Sequence, residues 1–382
     1  MMAASHQHPL QRRRGQQGGH LDVRSCQKGS LLIGVIAIAI VALLAVPYIG
    51  LLVTIDQVPD EIDVHGDETK HIKHMRKKRH PQWQEASGTP RLPDILLIGA
   101  QKSGSSALAN WLFDYGICPA RVFGQEPKFY RKEVHYFGNE ERYSKGVEFY
   151  TKRFADCPRD ALAMDATPAT MLYADQVRKT YDEWEGGSMV DKVKILAVLR
   201  EPSARELSWY NHVTLKCRTD RRGYNHADCF NSDGSIRSFS EYVHDVTLQH
   251  VDTESTKRKK LCRGHYAHLL KEWFTEFHRD QILILSYDEI LNDETQMMQR
   301  VQSFLVLDPQ NNPGHMEEKN TKNNEHKIRS IDCGIQQELN DVFDPLNDDL
   351  YRLLDANPGP KMEQRPFPRF VARNCTSNIS IR

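Results

Sequence analysis

LLIGAQKSGSSAL (Leu96–Leu108) opens as an apolar run, passes through a turn rich in Gly and Ser, and continues with a helical pattern. The run begins at Asp94 as DILLIGA, Gly99 and Gly104 bracket the turn, and the helical pattern covers Ser106–Tyr115, so the segment reads as strand, loop, helix. A chain bending this sharply into a helix leaves backbone N–H groups facing outward, which is how phosphate-binding loops hold anions. A nucleotide triphosphatase loop, GxxxxGK[ST], would carry lysine at the position of Ser105, whereas here the lysine is Lys102, inside the loop. That departure argues against ordinary ATP or GTP chemistry.

The same unit recurs along the chain. KILAVL (Lys194–Leu199) and QILILS (Gln281–Ser286) are each followed by a polar turn and a helical pattern, with helices predicted at Ala204–Thr214, Tyr266–Phe277 and Thr295–Phe304. These predict an α/β fold: a single P-loop-like domain with a central parallel sheet flanked by helices. VLREPSARELSWY (Val198–Tyr210) ends a strand at Arg200, turns at Pro202 and starts a helix carrying Arg205 and Ser208. A guanidinium where a strand ends in an open α/β sheet is well placed to grip a phosphate. Lys216–Lys260 is polar, charged and without periodicity, and reads as an excursion from the core.

Before this domain, Leu31–Ile55 runs for about 25 residues without a charge, long enough to cross a bilayer as a helix. Arg12, Arg13, Arg14, Arg24 and Lys28 precede it and Asp56, Asp60, Glu61 and Asp63 follow, which places the N-terminus in the cytosol and the body in the lumen. The expected organisation is therefore a cytosolic tail (1–30), a transmembrane signal anchor (31–55), a polar stem (56–93), the domain (94–356) and a Pro-rich tail (357–382) on the surface. The 51 Lys and Arg balance the 51 Asp and Glu, so net charge implies no global affinity for polyanions and no nucleic-acid partner is expected. Of eight cysteines, Cys26 is on the cytosolic side; Cys118, Cys157, Cys217, Cys229, Cys262, Cys333 and Cys375 are lumenal, where some disulfides are expected, of open connectivity. Asn374 and Asn378 head N-x-S/T sequons that a lumenal location would make usable.

QKSGSSAL and LREPSARELSWY, in this order, resemble the 5′-phosphosulfate loop and the 3′-phosphate strand and helix of sulfotransferases that use 3′-phosphoadenosine 5′-phosphosulfate (PAPS) to modify carbohydrates. The similarity runs from about Asp94 to Leu354 and points to the branch of heparan sulfate N- and 3-O-sulfotransferases and the N-acetylgalactosamine 4-sulfate 6-O-sulfotransferase. KEVHYF (Lys132–Phe137), DATPATM (Asp165–Met171), GHYAHLLKEWF (Gly264–Phe274) and ILILSYDEIL (Ile282–Leu291) look like further landmarks of it. The resemblance implies that Lys102 contacts the transferring sulfuryl group. It also implies that Gly104, Ser105 and Ser106, with Ser103 beside them, hold the 5′-phosphate, and that Arg200 and Ser208 hold the 3′-phosphate. A later loop of the family closes over the 3′-phosphate, and NTKNNEH (Asn320–His326) falls there, with Lys322 its contact. Glu133 is implied as the base that takes the acceptor's proton, with His135 assisting or binding substrate. If this segment were a strand, Glu133 and His135 would share a face.

Several relatives carry lysine directly after the acidic residue of DATPATM, where this chain has Ala166, a departure that puts in doubt the transfer of acceptor specificity from the 3-O-sulfotransferases. The expected chemistry is sulfuryl transfer from PAPS to a hydroxyl or amino group of a glycan, as a Golgi type II membrane protein. The expected acceptor is a polyanionic polysaccharide docked partly on Lys216–Lys260, and no metal is required. The alternatives are a lumenal nucleotide-dependent glycan kinase and a catalytically silent glycan-binding protein on the same fold.

Overall fold

The computed structural model describes residues 88–122, 129–219, 229–248, 264–316, 327–360, 365–371 and 375. The apolar segment 31–55, the stem up to residue 87, Lys322, Cys262, both sequons, and residues 220–228 and 249–260 of the excursion lie outside the described residues. Among the described residues, no helix is long and apolar enough to cross a membrane.

Six strands form one sheet: β1 (Ile95–Gly99), β2 (Cys118–Val122), β3 (Phe129–Arg131), β4 (Ala163–Asp165), β5 (Lys194–Leu199) and β6 (Ile282–Ser286), in the order β3-β2-β4-β1-β5-β6. Every pairing is parallel except that of β3 with β2. β1 and β6 are buried throughout, which explains why they read as continuous apolar runs rather than alternating ones. The helices that cover them are α1 (Ser105–Asp114), α2 (Ala174–Glu183), α3 (Pro202–Thr219), α4 (Tyr266–Glu276), α5 (Tyr287–Asn292), α6 (Glu294–Leu305) and α7 (Cys333–Ala356).

The pleat of β1 separates two cores. Ile95 and Leu97 pack with Leu108 and Leu112 of α1 and with Val301 and Phe304 of α6. Leu96 and Ile98 face the opposite side, with Val177 and Tyr181 of α2, Trp273 of α4 and Leu350 of α7. A third cluster joins Leu207 and Tyr210 of α3 to Leu339 and Phe343 of α7, and Phe239, Tyr242 and Val243 belong to it. The segment predicted as an excursion thus supplies core residues, because the short helix Phe239–Tyr242, with a Ser238 capping box, turns its aromatic rings inward.

Disulfides join Cys118 to Cys157, Cys217 to Cys229 and Cys333 to Cys375. The last one ties the Pro-rich tail to the start of α7. Phe367 and Phe370 of that tail pack against the main core, and the Phe370 amide donates to the Tyr351 hydroxyl at 2.7 Å.

Candidate active site

β1 has β4 on one side and β5 on the other, and the chain leaves it first towards β2 and β4 and only later crosses to β5 and β6. The carboxyl ends of β1 and β5 therefore flank a topological switch point, where open α/β sheets hold ligands. The register between these strands shifts between Leu97 and Gly99, and the Ala100 amide donates to the Val198 carbonyl at 2.7 Å, so the turn leaves the sheet beside the end of β5.

Within the turn, Lys102 has φ 68° and Gly104 φ 90°. A Cβ at Gly104 would lie 2.9 Å from the Tyr287 ring, so this position needs glycine both for its dihedral and for its neighbour. No side chain caps α1, and the first N–H groups of a helix have no intrahelical partner. Ser103 and Ser105 are buried beneath the turn and Ser106 is half-buried on its outer side.

The two predicted anion-binding motifs meet here. Arg200 donates to the Lys102 carbonyl at 2.9 Å and stacks its guanidinium 4.4 Å from the centroid of Tyr287, the same ring that covers Gly104. The Glu201 carboxylate accepts from the amides of Ser203 at 2.8 Å and Ala204 at 2.7 Å, which starts α3 immediately after Arg200, with Pro202 in its first turn. Ser208 is half-buried on α3. Three residues on, and hence on the same helix face, Asn211 donates to the Ile328 carbonyl and accepts from its amide, both at 2.9 Å. That pair fastens the segment carrying Lys327 to α3. Burial first, then the charges of Arg200, Lys132, Lys327 and Arg205, holds the Lys102 ammonium down to about 8.

KEVHYF, whose periodicity left its conformation open, is not a strand: β3 ends at Arg131 and His135 has φ 51°, which breaks the alternation. Val134, Tyr136 and Phe137 point inward, leaving Lys132, Glu133 and His135 on the accessible side. The Thr167 hydroxyl fixes this conformation by accepting from the amides of Val134 at 2.9 Å and His135 at 3.2 Å while donating to Asp165 at 2.6 Å. Tyr150 donates to the other Asp165 oxygen at 2.9 Å. Asp165 is thus buried, its pKa raised by that burial against these hydrogen bonds, and it holds the segment rather than facing a cleft.

Lys132 connects the two halves. Its ammonium lies 2.6 Å from Glu133 Oε1 and donates to Ser106 Oγ at 3.1 Å, and His135 Nε2 lies 3.1 Å from Glu133 Oε2. Burial alone would raise the Glu133 pKa, but the Lys132 charge and the His135 contact outweigh it and hold the carboxyl well below the usual carboxylate range. Lys132, Thr167 and Lys327 were not singled out from the sequence, although the first two stand inside the motifs quoted and the third directly follows NTKNNEH. Among the described residues, no cluster of His, Cys, Asp and Glu is arranged to hold a metal ion. A carboxylate beside a turn ringed by cations can take a proton while an anion is transferred nearby.

Known proteins resemble this chain. The chain is 28% identical over 240 residues to mouse bifunctional heparan sulfate N-deacetylase/N-sulfotransferase 4, covering 62% of this chain and 25% of that protein. It is 26% identical over 220 residues to human heparan sulfate glucosamine 3-O-sulfotransferase 5, covering 57% of this chain and 55% of that one. It thus spans a quarter to about half of the length of these relatives. A solved sulfotransferase from Alicyclobacillus acidocaldarius is 19% identical, with a TM-score of 0.47 over 69% of this chain and 96% of that one. The sulfotransferase domain family matches residues 92–339, from just before β1 into α7 and across the turn, Glu133 and Arg200, and the chain belongs to that family.

Proposed function

We propose that the chain transfers a sulfuryl group from PAPS to a glycan hydroxyl or amine, with a polyanionic polysaccharide as acceptor. The observation that carries this reading is the meeting of an uncapped helix N-terminus, Lys102 and Arg200 at the switch point, one lysine away from the Glu133 carboxylate. The residues suit an anionic nucleotide: burial, and after it the neighbouring cations, depress the Lys102 pKa, and an anion among them would relieve the repulsion. When bound, PAPS supplies the sulfuryl group and a phosphate as leaving group.

Gly104, Ser105 and Ser106 would hold the 5′-phosphate through the helix N-terminus, with Ser103 packed beneath. Arg200 and Ser208 would hold the 3′-phosphate, with Lys322 as a further contact. Lys102 stabilises the charge that grows on the leaving oxygen, Glu133 accepts the acceptor's proton, and His135 orients Glu133. The likeness to heparan sulfate sulfotransferases supports a heparan sulfate-like acceptor. Lys257, Arg258, Lys259 and Lys260 are assigned to its docking. The apolar segment 31–55 anchors the body in the Golgi lumen, an orientation that protease protection in sealed microsomes tests directly.

The deciding experiment offers purified protein labelled PAPS with a panel of sulfated and unsulfated polysaccharides, alongside calorimetric titration with PAPS and ATP. Label transfer to polyanionic chains and a preference for PAPS are expected. Preference for ATP would refute the donor assignment, and sulfation of a neutral acceptor alone would refute the polyanion.

A further inference from the structure

Both oxygens of Glu133 are already engaged. Lys132 lies 2.6 Å from Oε1 and His135 Nε2 lies 3.1 Å from Oε2, so a proton reaching Oε1 works against the ammonium already held there, and the carboxylate is a weak base in this state. The same ammonium donates to Ser106 Oγ at 3.1 Å, in the first turn of α1. The backbone of this segment is fixed: the Ala166 amide donates to the Lys132 carbonyl at 3.1 Å, and Thr167 holds the next two amides. Movement is therefore left to the Lys132 side chain, whose ammonium carries three donors on a flexible stem. The charged groups around the pair are Lys102, which acts on Lys132 from the turn after β1, and Asp165, which acts on His135 from β4.

We propose that Lys132 is a positioning residue that couples the donor to the base: without donor its ammonium is divided between Ser106 and Glu133, and an anion at the α1 turn draws it off Oε1, freeing that oxygen for the acceptor's proton. This rests on the reading of the turn as the donor site and of Glu133 as the base. The proton balance is simple. Lys132 keeps its protons throughout, and the acceptor's proton passes to Oε1 as the acceptor bonds to sulfur and the phosphate leaves. An anion placed within a few ångströms of an ammonium competes with a carboxylate on equal terms, and the uncapped helix end adds to its side. A chain without donor thus keeps its carboxylate disarmed.

The test is calorimetric titration of the full chain with 3′-phosphoadenosine 5′-phosphate at pH 5, in two buffers of different ionisation heat, so that the protons taken up on binding are counted. Lys102, titrating near 8, stays protonated at pH 5 with or without nucleotide and drops out of the count. The unaltered chain should take up about 0.2 proton more than Glu133→Gln, the share expected of a carboxyl returning to its ordinary pKa. Lys132→Ala should take up no more than Lys132→Ala/Glu133→Gln. Lys132→Met, which keeps the stem, replaces the alanine variant if that one misfolds. Equal uptake by the unaltered chain and Glu133→Gln, with nucleotide bound by both, overturns the coupling and leaves the donor site standing. Failure of the unaltered chain to bind the nucleotide overturns the donor-site reading and the coupling with it.

Discussion

Lys102 is held uncomfortably, and two measurements should register it. Its pKa is lowered from 10.5 to about 8 by burial and by neighbouring cations, so at any pH below 8 the folded chain carries a charge that the unfolded chain carries more easily. That penalty fades between pH 8 and 10.5, where the folded group is already neutral while the unfolded one still holds its proton. Lys102→Met should therefore raise the melting temperature at pH 7, by a margin that shrinks towards pH 10.5. Catalysis should run the other way. The same substitution removes a cation from the leaving oxygen and should lower turnover by about 10²–10³-fold at saturating PAPS. In the unaltered chain kcat/KM for PAPS should decline above pH 8, as Lys102 loses its proton, whereas the limb in kcat should lie higher because a bound anion favours the ammonium. Turnover of Lys102→Met within a few-fold of normal would remove Lys102 from the chemistry. Thr167 makes a contrasting case, since its hydroxyl bonds two backbone amides and Asp165. Thr167→Val should leave the KM for PAPS unchanged and lower kcat at least tenfold, because the base segment loses its anchor, and Thr167→Ser should restore it.

Among the elements, the βα turn has the least freedom. Gly104→Ala puts a Cβ against Tyr287 at a dihedral that L residues avoid, a strain of about 1–3 kcal/mol. The Tyr287 ring also backs Arg200, so the displacement should weaken PAPS binding measured by calorimetry, and Tyr287→Ala in the same chain should recover part of the lost stability. How legible each element was in the sequence follows from what holds it. β1, β5 and β6 were readable because they are buried on both faces and end in turn residues. β4 was not, being three residues long and ending in a charged one, Asp165, whose partners lie on other segments. α7 carries an apolar stripe of Ile335, Leu339, Phe343, Leu350 and Leu354, but Pro345 interrupts it, and a proline inside a helix ordinarily breaks it. Lys102 and Arg200 could be proposed from local sequence, since a turn and a strand end place them. Glu133 and His135 could not, because His135 leaves the strand dihedral and its support comes from Thr167, 32 residues away. Only the likeness to known sulfotransferases reached them.

For the molecule as a whole, the disulfides act mainly by restricting the unfolded chain. Cys118–Cys157 closes 39 residues around β2, and on chain-entropy grounds a loop of this length contributes about 4 kcal/mol. The double variant Cys118→Ser/Cys157→Ser should lower the denaturation midpoint accordingly and leave the pH dependence of kcat/KM for PAPS unchanged. A moved pH limb would mean that the bridge shapes the site. The sheet order carries a different consequence, one of timing. Ile95 of β1 pairs with Met164 on one side and Lys194 on the other, so the strand that launches the donor turn has no partner close in sequence. Contacts so distant form late, because the intervening chain must be ordered before they gain anything. An isolated peptide of this turn should not hold the nucleotide, and during refolding from denaturant the capacity to bind it should return with the slowest phase, after helix content has recovered. The chain would then spend much of its folding time helical, compact and still blind to its donor.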